Sequence, residues 1–526
     1  MREIVLNKLN FSYEGASKSV FNDVNFRIDV SWKLGLIGRN GTGKSTLLKL
    51  INGDCKPNSG NVVTPIKTEI FPFNIENEKL LVRDVVKQIT GPFLTLEKQI
   101  DETFSKGEIS AVKHAELIST YNDIGGYQID ALIEREFRKM DLLLLLLEQR
   151  FETLSGGEKT KVMIISLFLK GHSFLLIDEP TNHLDTFGRV VLAEYLKNKT
   201  GFILVSHDQE FLDICVNHIL SINKNSVTLN SGGFTKWNET RLRNEERELN
   251  SKEKLQDEAY RLENSAIAAR GWSSSREKGK KSAGDSGFEG KRSAKMMKRA
   301  KSMERRRDKR LDEVKLLLKD YENIKSLEIK QDKLLNKKYL KVQDLSYEIN
   351  GNAVFQDISF ELAQGDRIWI KGENGSGKTT LLKIISGEIG NYSGIVKKYN
   401  GISVIHSHQN IEQCDVTVEE YREMNNSNKT AFIRNLDYFG MNIDHLEKPI
   451  ELLSEGEKKK VEIAKTLAST AELYLWDEIL NYMDIYFRLQ LEEAVVKYNP
   501  TLIFVTHDVS FGSKIATKVI ELSKQM

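Results

Sequence analysis

Apolar residues along this chain fall into two textures. The first is short unbroken runs: Leu34-Gly-Leu-Ile37, Phe174-Leu-Leu-Ile177, Phe202-Ile-Leu-Val205, and later Ile368-Trp-Ile370, Leu473-Tyr-Leu-Trp476 and Leu502-Ile-Phe-Val505. Runs of this length, each followed by a loop and a helical pattern, read as buried strands of an α/β fold. The second texture is sparse. Leu242, Leu249, Ala259, Leu262, Ala266 and Ala269, and again Leu311, Val314, Leu318, Tyr321 and Ile324, recur at spacings of three, four or seven, which predicts one apolar stripe on each of two helices. Between them Gly271-Trp272-Ser-Ser-Ser, Gly279, Gly284, Gly287 and Gly290 predict a break. The expectation is a helical hairpin whose arms, thirty-odd residues each at 1.5 Å per residue, reach about 50 Å.

The strand texture occurs twice. GLIGRNGTGKSTLLKL in the first half matches IWIKGENGSGKTTLLKI in the second, displaced by 334 positions at Lys44 and Lys378. LSGGEKTKV and LSEGEKKKV, FLLIDE and LYLWDE, and FILVSHD and IFVTHD are displaced by 299 to 300, so the first copy holds about 34 extra residues. With 526 residues, more than one core is expected. The division predicted is a first domain at 1–237, a helical connector at 238–337 with its tip near 270–293, and a second domain at 338–526.

Composition narrows the setting. Apolar residues at 40% and charged residues at 29% suit a globular chain. The longest apolar run, Leu142 to Leu147, is far short of the roughly 20 residues a bilayer needs, and Met1 is followed by Arg2 and Glu3 rather than a signal sequence. Cys55, Cys215 and Cys414 lie too far apart to pair as metal ligands. A reducing cytoplasm with no membrane partner is expected. The net charge of +2 conceals a polarity: Arg270 to Arg310 holds 16 Lys or Arg against five Asp or Glu, leaving −9 for the rest. A basic stretch in an acidic body is the footprint of a nucleic-acid partner.

Each repeat carries the same chemistry. Gly38, Gly43, Lys44 and Ser45, and Gly372, Gly377, Lys378 and Thr379, form Gly-x-x-x-x-Gly-Lys-Ser/Thr between a strand and a helix. Glycines let successive amides face phosphate oxygens, lysine reaches the β and γ phosphates, and the hydroxyl holds Mg²⁺. Asn40, Gly41 and Thr46, and Asn374, Gly375 and Thr380, complete the two loops. Strands ending at Asp178-Glu179 and Asp477-Glu478 supply one carboxylate for the metal and one for an attacking water. His207 and His507, each followed by aspartate, are placed to contact the γ-phosphate.

On these motifs the chain resembles the ATP-binding cassette family in both halves, which implies two tandem P-loop ATPase domains. LSGGE at Leu154 to Glu158 is that family's diagnostic string. The resemblance implies head-to-tail pairing within one monomer: Lys44, Asp178 and Glu179 facing Ser454 and Gly456, and Lys378, Asp477 and Glu478 facing Ser155, Gly156 and Gly157. It also places adenine on Tyr13 and Tyr347, and Gln409 beside Mg²⁺ with Ser45, Thr379, Asp178 and Asp477. The first copy has Ile70-Phe-Pro-Phe73 where the second has Gln409, and Glu455 replaces the glycine at Gly156. Phe73 and Glu455 fall on the same composite site, which is therefore expected to be the slower hydrolyser.

Cassettes joined by a charged hairpin look like the ABC-F translation factors, with the surplus near 92–124 as a small arm. Trp32 to Gly41, Gly201 to Asp208, Met296 to Arg299 and Ala471 to Glu478 resemble the antibiotic-resistance branch, the Lsa- and Vga-like ribosome protection proteins. That resemblance implies a partner, the bacterial 70S ribosome, bound at its exit site with ATP, the hairpin tip approaching large-subunit rRNA and the P-site tRNA. Pleuromutilins, lincosamides and streptogramin A would be displaced. Trp272 and Phe288 are the candidates to stack on bases, and Arg270, Arg276, Lys278, Lys280, Lys281, Lys291 and Arg292 to meet phosphates. Three rivals stay open: a housekeeping ABC-F factor rescuing stalled ribosomes, the ATPase subunit of a transporter, and a DNA-repair or chromosome-associated ATPase.

Overall fold

The computed structural model describes residues 2–15, 19–104, 111–171, 173–182, 184–223, 227–279, 286–317, 327–329, 331, 338–349, 352–373, 375–399, 401–408, 411 and 415–523. Two compact units result, one holding both repeats and the other the helical hairpin.

Each repeat is built on a mainly parallel sheet. In the first, the strand order is Lys67–Phe71, Ser173–Asp178, Phe202–Val205, Lys33–Gly38, His218–Ile222 and Val227–Ser231, the last pair antiparallel. In the second it is Val404–Ser407, Leu473–Asp477, Leu502–Val505, Arg367–Gly372 and Lys518–Leu522, parallel throughout. The uninterrupted apolar runs follow from that position: Leu175, Leu176, Ile177 and every residue of Phe202–Val205 are at most 2% exposed. A separate three-stranded antiparallel sheet covers the phosphate-loop helix in each repeat, formed by Phe21–Asp29, Glu3–Phe11 and Ser59–Val63, and by Asn352–Ala363, Lys338–Ile349 and Ser393–Lys398.

The topology decides where chemistry collects. The strand Phe202–Val205 lies between Ser173–Asp178 and Lys33–Gly38. The Asp178-Glu179 pair, His207 and the phosphate loop therefore leave three adjacent strands at their carboxyl ends, the crevice where parallel α/β sheets bind ligands. The second repeat has the same neighbour order.

The residues near 92–124 form two helices, Phe93–Phe104 and Ala111–Asp123, packed on each other; Tyr121 hydroxyl donates to Glu97 at 2.6 Å. The hairpin is longer than its stripe predicts. One helix runs Phe234–Gly279, straight through Gly271 and the three serines, and the other Ser286–Leu317, with Gly287 and Gly290 in its first turns. The break expected across Gly271 to Gly290 is thus absent from 271–279 and 286–290, and 280–285 lie outside the described residues. Glycine in a helix interior costs about 1 kcal/mol, too little to interrupt a segment led in by Ala266, Ala268, Ala269 and Arg270. Ion pairs Glu263 to Arg307 and Glu258 to Arg310, each 3.2 Å, run in opposite chain order, so the helices are antiparallel. Leu318, Tyr321 and Ile324 lie outside the described residues. Leu327 and Ile329, at 5% and 4% exposure, are packed in the core of the second repeat, so that repeat claims the chain before position 338.

Candidate active site

Both phosphate loops depend on a glycine no other residue replaces. Gly43 and Gly377 cap their helices at φ +96° and +89°, and a Cβ there would stand 2.5 Å from Val20 and 2.6 Å from Val354. The helices Lys44–Asn52 and Lys378–Ser386 follow directly. Each lysine curls back onto its own loop: Lys44 Nζ donates to Gly38 O at 2.8 Å and Arg39 O at 3.1 Å, Lys378 Nζ to Gly372 O at 2.9 Å and Glu373 O at 2.7 Å. Burial holds both ammonium groups below the ordinary lysine range.

The signature strings are helix starts with a local mechanism. Ser155 and Ser454 each accept from the amide three residues on, while Glu158 and Glu457 accept from the serine amides, closing a capping box. The helix amino terminus so fixed, with Gly156 or Glu455 at its first position, offers free N–H groups to an anion. Glu455 turns outward and pairs with Lys458 at 2.9 Å.

The repeats face each other across two composite sites. Gly156, Asn182, Leu184 and Arg189 of the first repeat enclose, with Gly375, Gly377, Lys378, Thr379, Thr380, Glu478 and His507 of the second, a cleft of about 690 Å³. At the other site the second repeat closes on the first phosphate loop. Asn40 N donates to Asp484 Oδ2 at 2.9 Å and Asn40 Nδ2 to Tyr482 O at 2.8 Å. Arg39 lies over the rings of Tyr438 and Tyr486 at 5.8 and 5.9 Å. Lys44 feels the charges of Asp484 and of Lys460 on the helix that begins at Glu455. A Cβ added at Gly456 would meet Tyr482 at 3.8 Å, ordinary van der Waals contact.

The carboxylate pairs differ between the sites. Ser45 Oγ donates to Asp178 Oδ2 at 2.7 Å. Asp477, 1% exposed, makes no well-formed hydrogen bond among the described residues; burial raises its carboxyl, against the pull of the neighbouring Thr379 hydroxyl. A buried carboxylate in want of a charge, beside the threonine hydroxyl of a phosphate loop, fits a hard cation. Glu179 and Glu478 both sit at positive φ, +49° and +50°, which turns them out of their strands toward His207 and His507. Beyond that they part. Glu478 accepts from Asn481 Nδ2 at 2.6 Å and stands 3.1 Å from His507 Nε2. Against burial, these contacts hold its carboxyl below the ordinary range. Glu179 Oε1 stands 3.3 Å from His207 Nε2 but makes no well-formed hydrogen bond among the described residues; burial first, then Asp178, pushes that carboxyl up to about 8. His207 is held neutral by burial, helped by Lys44 and Arg488.

A carboxyl raised from 4.5 to about 8 on folding keeps its proton longer in the folded chain, so it makes stability fall as pH rises across that window. Glu179→Gln should therefore stabilise the nucleotide-free protein and raise its melting temperature, little at pH 5 and most at pH 8, where the gain is on the order of 1–3 kcal/mol. An equal shift at both pH values would contradict this.

Other expected residues are placed as follows. Tyr13 is 47% exposed beside the first loop, its hydroxyl 2.9 Å from Thr46 Oγ1 and its ring edge-on to Phe11. Tyr347 lies on the strand Lys338–Ile349 of the second repeat. It pairs in register with Phe355 and packs its ring there, and Ile349 and Val354 line the second cleft. Asn374, Gln409, Lys280 and Lys281 lie outside the described residues. Arg270, Trp272, Arg276 and Lys278 are on the first hairpin helix and Phe288, Lys291 and Arg292 on the second, with side chains outside the description. Sequence reasoning overlooked Asp185 and Asp484, which cap helices across from the opposite loops, and Arg189 and Arg488, which bind Asp208 and Asp508 at 3.2 and 2.8 Å. Their common displacement of 299 positions was the available signal.

Two phosphate loops, two carboxylate pairs and two signature helices meeting across one interface define a P-loop ATPase with paired nucleotide sites. The chain belongs to the ABC transporter family, whose model matches residues 21–182 and 355–481, more than half its length. It is an ATPase with an ATP-binding domain in each half. It is 28% identical to the ribosome protection protein VmlR of Bacillus subtilis, over 99% of this chain and 87% of that one. It is 26% identical to the energy-dependent translational throttle protein EttA of Haemophilus influenzae, over 96% and 89%. Among solved structures, archaeal ABCE1 in complex with the ribosomal stalk protein aP1 superposes with a TM-score of 0.60 at 20% identity, over 98% of this chain and 87% of that one, which fixes the shared fold. No described helix is long and apolar enough to cross a membrane.

Proposed function

We propose that this chain is a cytoplasmic ABC-F factor that binds the bacterial ribosome as an ATP-closed monomer and leaves it on hydrolysis. The finer reading is the ribosome-protecting branch: exit-site binding, with the hairpin tip directed to large-subunit rRNA and P-site tRNA and displacing pleuromutilins, lincosamides and streptogramin A. The observation that carries it is the pairing of both nucleotide sites inside one polypeptide that also contains a helical hairpin with a local charge of +11. The names of the VmlR and EttA relatives support it.

In this mechanism ATP fills each cleft from one repeat's phosphate loop and is capped by the other repeat's signature helix. Lys44 and Lys378 exchange their own loop carbonyls for phosphate oxygens. Ser45 with Asp178, and Thr379 with Asp477, would hold Mg²⁺, which neutralises phosphate charge when bound. Glu478, ionised and fixed by Asn481 and His507, accepts the proton of the attacking water. Glu179 holds the same position in the other site.

The test is the double variant Glu179→Gln/Glu478→Gln. With ATP it should sediment with 70S ribosomes at least tenfold more than wild type, and raised salt should release it steeply, because the basic stretch displaces counterions from phosphate. Equal sedimentation would refute ribosome clamping. Growth of a sensitive Gram-positive host expressing the wild type, measured against a panel of ribosomal antibiotics, separates protection from a housekeeping role.

A further inference from the structure

A cluster unrelated to either phosphate loop lies on the edge strand of the second repeat. His406 is in the strand Val404–Ser407, His408 follows two positions on, and both rings turn to Glu388, in the loop after the phosphate-loop helix. His406 Nδ1 is 2.8 Å from Glu388 Oε1, and His408 Nε2 is 3.1 Å from each oxygen of the same carboxylate. One donor atom from each of the three residues falls within 4.8 Å of the others.

We propose that Glu388, His406 and His408 form a binding site for one divalent transition-metal ion of the zinc class, independent of the nucleotide's Mg²⁺.

Two imidazoles and one carboxylate are the donor set such ions prefer, and bonds of about 2.0–2.2 Å bring ligand atoms to about 3.3 Å apart, close to what the cluster shows. Three protein ligands leave a fourth position for water, and Glu388 and His408, each about one-third exposed, open the site to solvent. The supporting groups are in place. Ser386 Oγ donates to Glu388 Oε1 at 2.6 Å, and Glu462 Oε1 stands 3.8 Å from His408 Nδ1, on the side where that ring N–H would donate once Nε2 ligates. His406 is only 7% exposed, and its Nε2 has no partner among the described residues, so what stands at Nδ1 alone sets its tautomer.

The position gives the ion something to act on. Lys459 Nζ donates to the carbonyl of His408 at 2.9 Å and to that of Asp477 at 3.0 Å. Tying His408 to Glu388 stiffens the segment between the edge strand and the second carboxylate pair.

The experiment uses the full, nucleotide-free chain stripped by chelator and titrated with Co²⁺. Expected are one equivalent bound with a visible ligand-field band, displacement by Zn²⁺ but not by Mg²⁺, and affinity weakened about a hundredfold or more in His408→Asn and in Glu388→Gln. Nucleotide binding by both variants confirms that they fold. No band in the wild type, or wild-type affinity in both folded variants, overturns the proposal.

Discussion

Glu478→Gln should remove most steady-state ATP turnover, a loss of about 10²–10⁴-fold, and Glu179→Gln markedly less. A general base works only when ionised and aimed. Glu478 is both: Asn481 at 2.6 Å and His507 at 3.1 Å fix its oxygens and hold its carboxyl low. Burial and Asp178 push the Glu179 carboxyl up to about 8, and His207 Nε2, at 3.3 Å, is a longer contact than either that holds Glu478. The same site carries Phe73 and Glu455 in place of the glutamine and glycine expected there. Single-turnover and steady-state rates of the two single variants decide the matter, and a larger loss from Glu179→Gln would reverse the assignment of fast and slow sites.

Arg488→Ala should lower the unfolding midpoint by the equivalent of about 3–5 kcal/mol, because it strands a buried carboxylate. Arg488 and Asp508 are joined at 2.8 Å, with side chains 9% and 3% exposed, and the guanidinium also donates to Met483 O and Leu480 O. Asp508→Asn added to Arg488→Ala should restore part of the loss, since the orphaned charge is then gone. The effect crosses the interface. Arg488 draws the carboxyl of Glu179 down, so without it Glu179 is protonated to a still higher pH and the first site slows further. A denaturant titration showing additive losses, or unchanged turnover at the first site in a Glu478→Gln background, would contradict this account.

Much of the site was legible before any coordinates. Motifs whose chemistry is local are written in contiguous residues: a Gly-rich turn into a helix needs Gly43 and Gly377 at fixed offsets, and a buried strand ending in acid needs only FLLIDE. Sequence could not anticipate that Glu179 and Glu478, identical in motif, sit in opposite protonation environments. That difference arises from how deeply packing buries each carboxyl and from how closely Asn481 and His507 approach Glu478. At Tyr347, register pairing with Phe355 sets the neighbours of the ring, which the pattern of residues does not show. The expected break over Gly271 to Ser275 failed because helix propensity is a weak local preference that a long segment overrides.

The repetition, the two nucleotide-binding halves and the basic hairpin were determined by the order of residues alone, since each depends on short-range pattern or on summed charge. Only the tertiary structure decided which carboxyl is poised to react, how Asp484 and Tyr482 seal the opposite phosphate loop, and that Glu388, some twenty residues before His406 and His408, meets both. Burial and charge act through distance in space, and separation along the chain does not encode that distance.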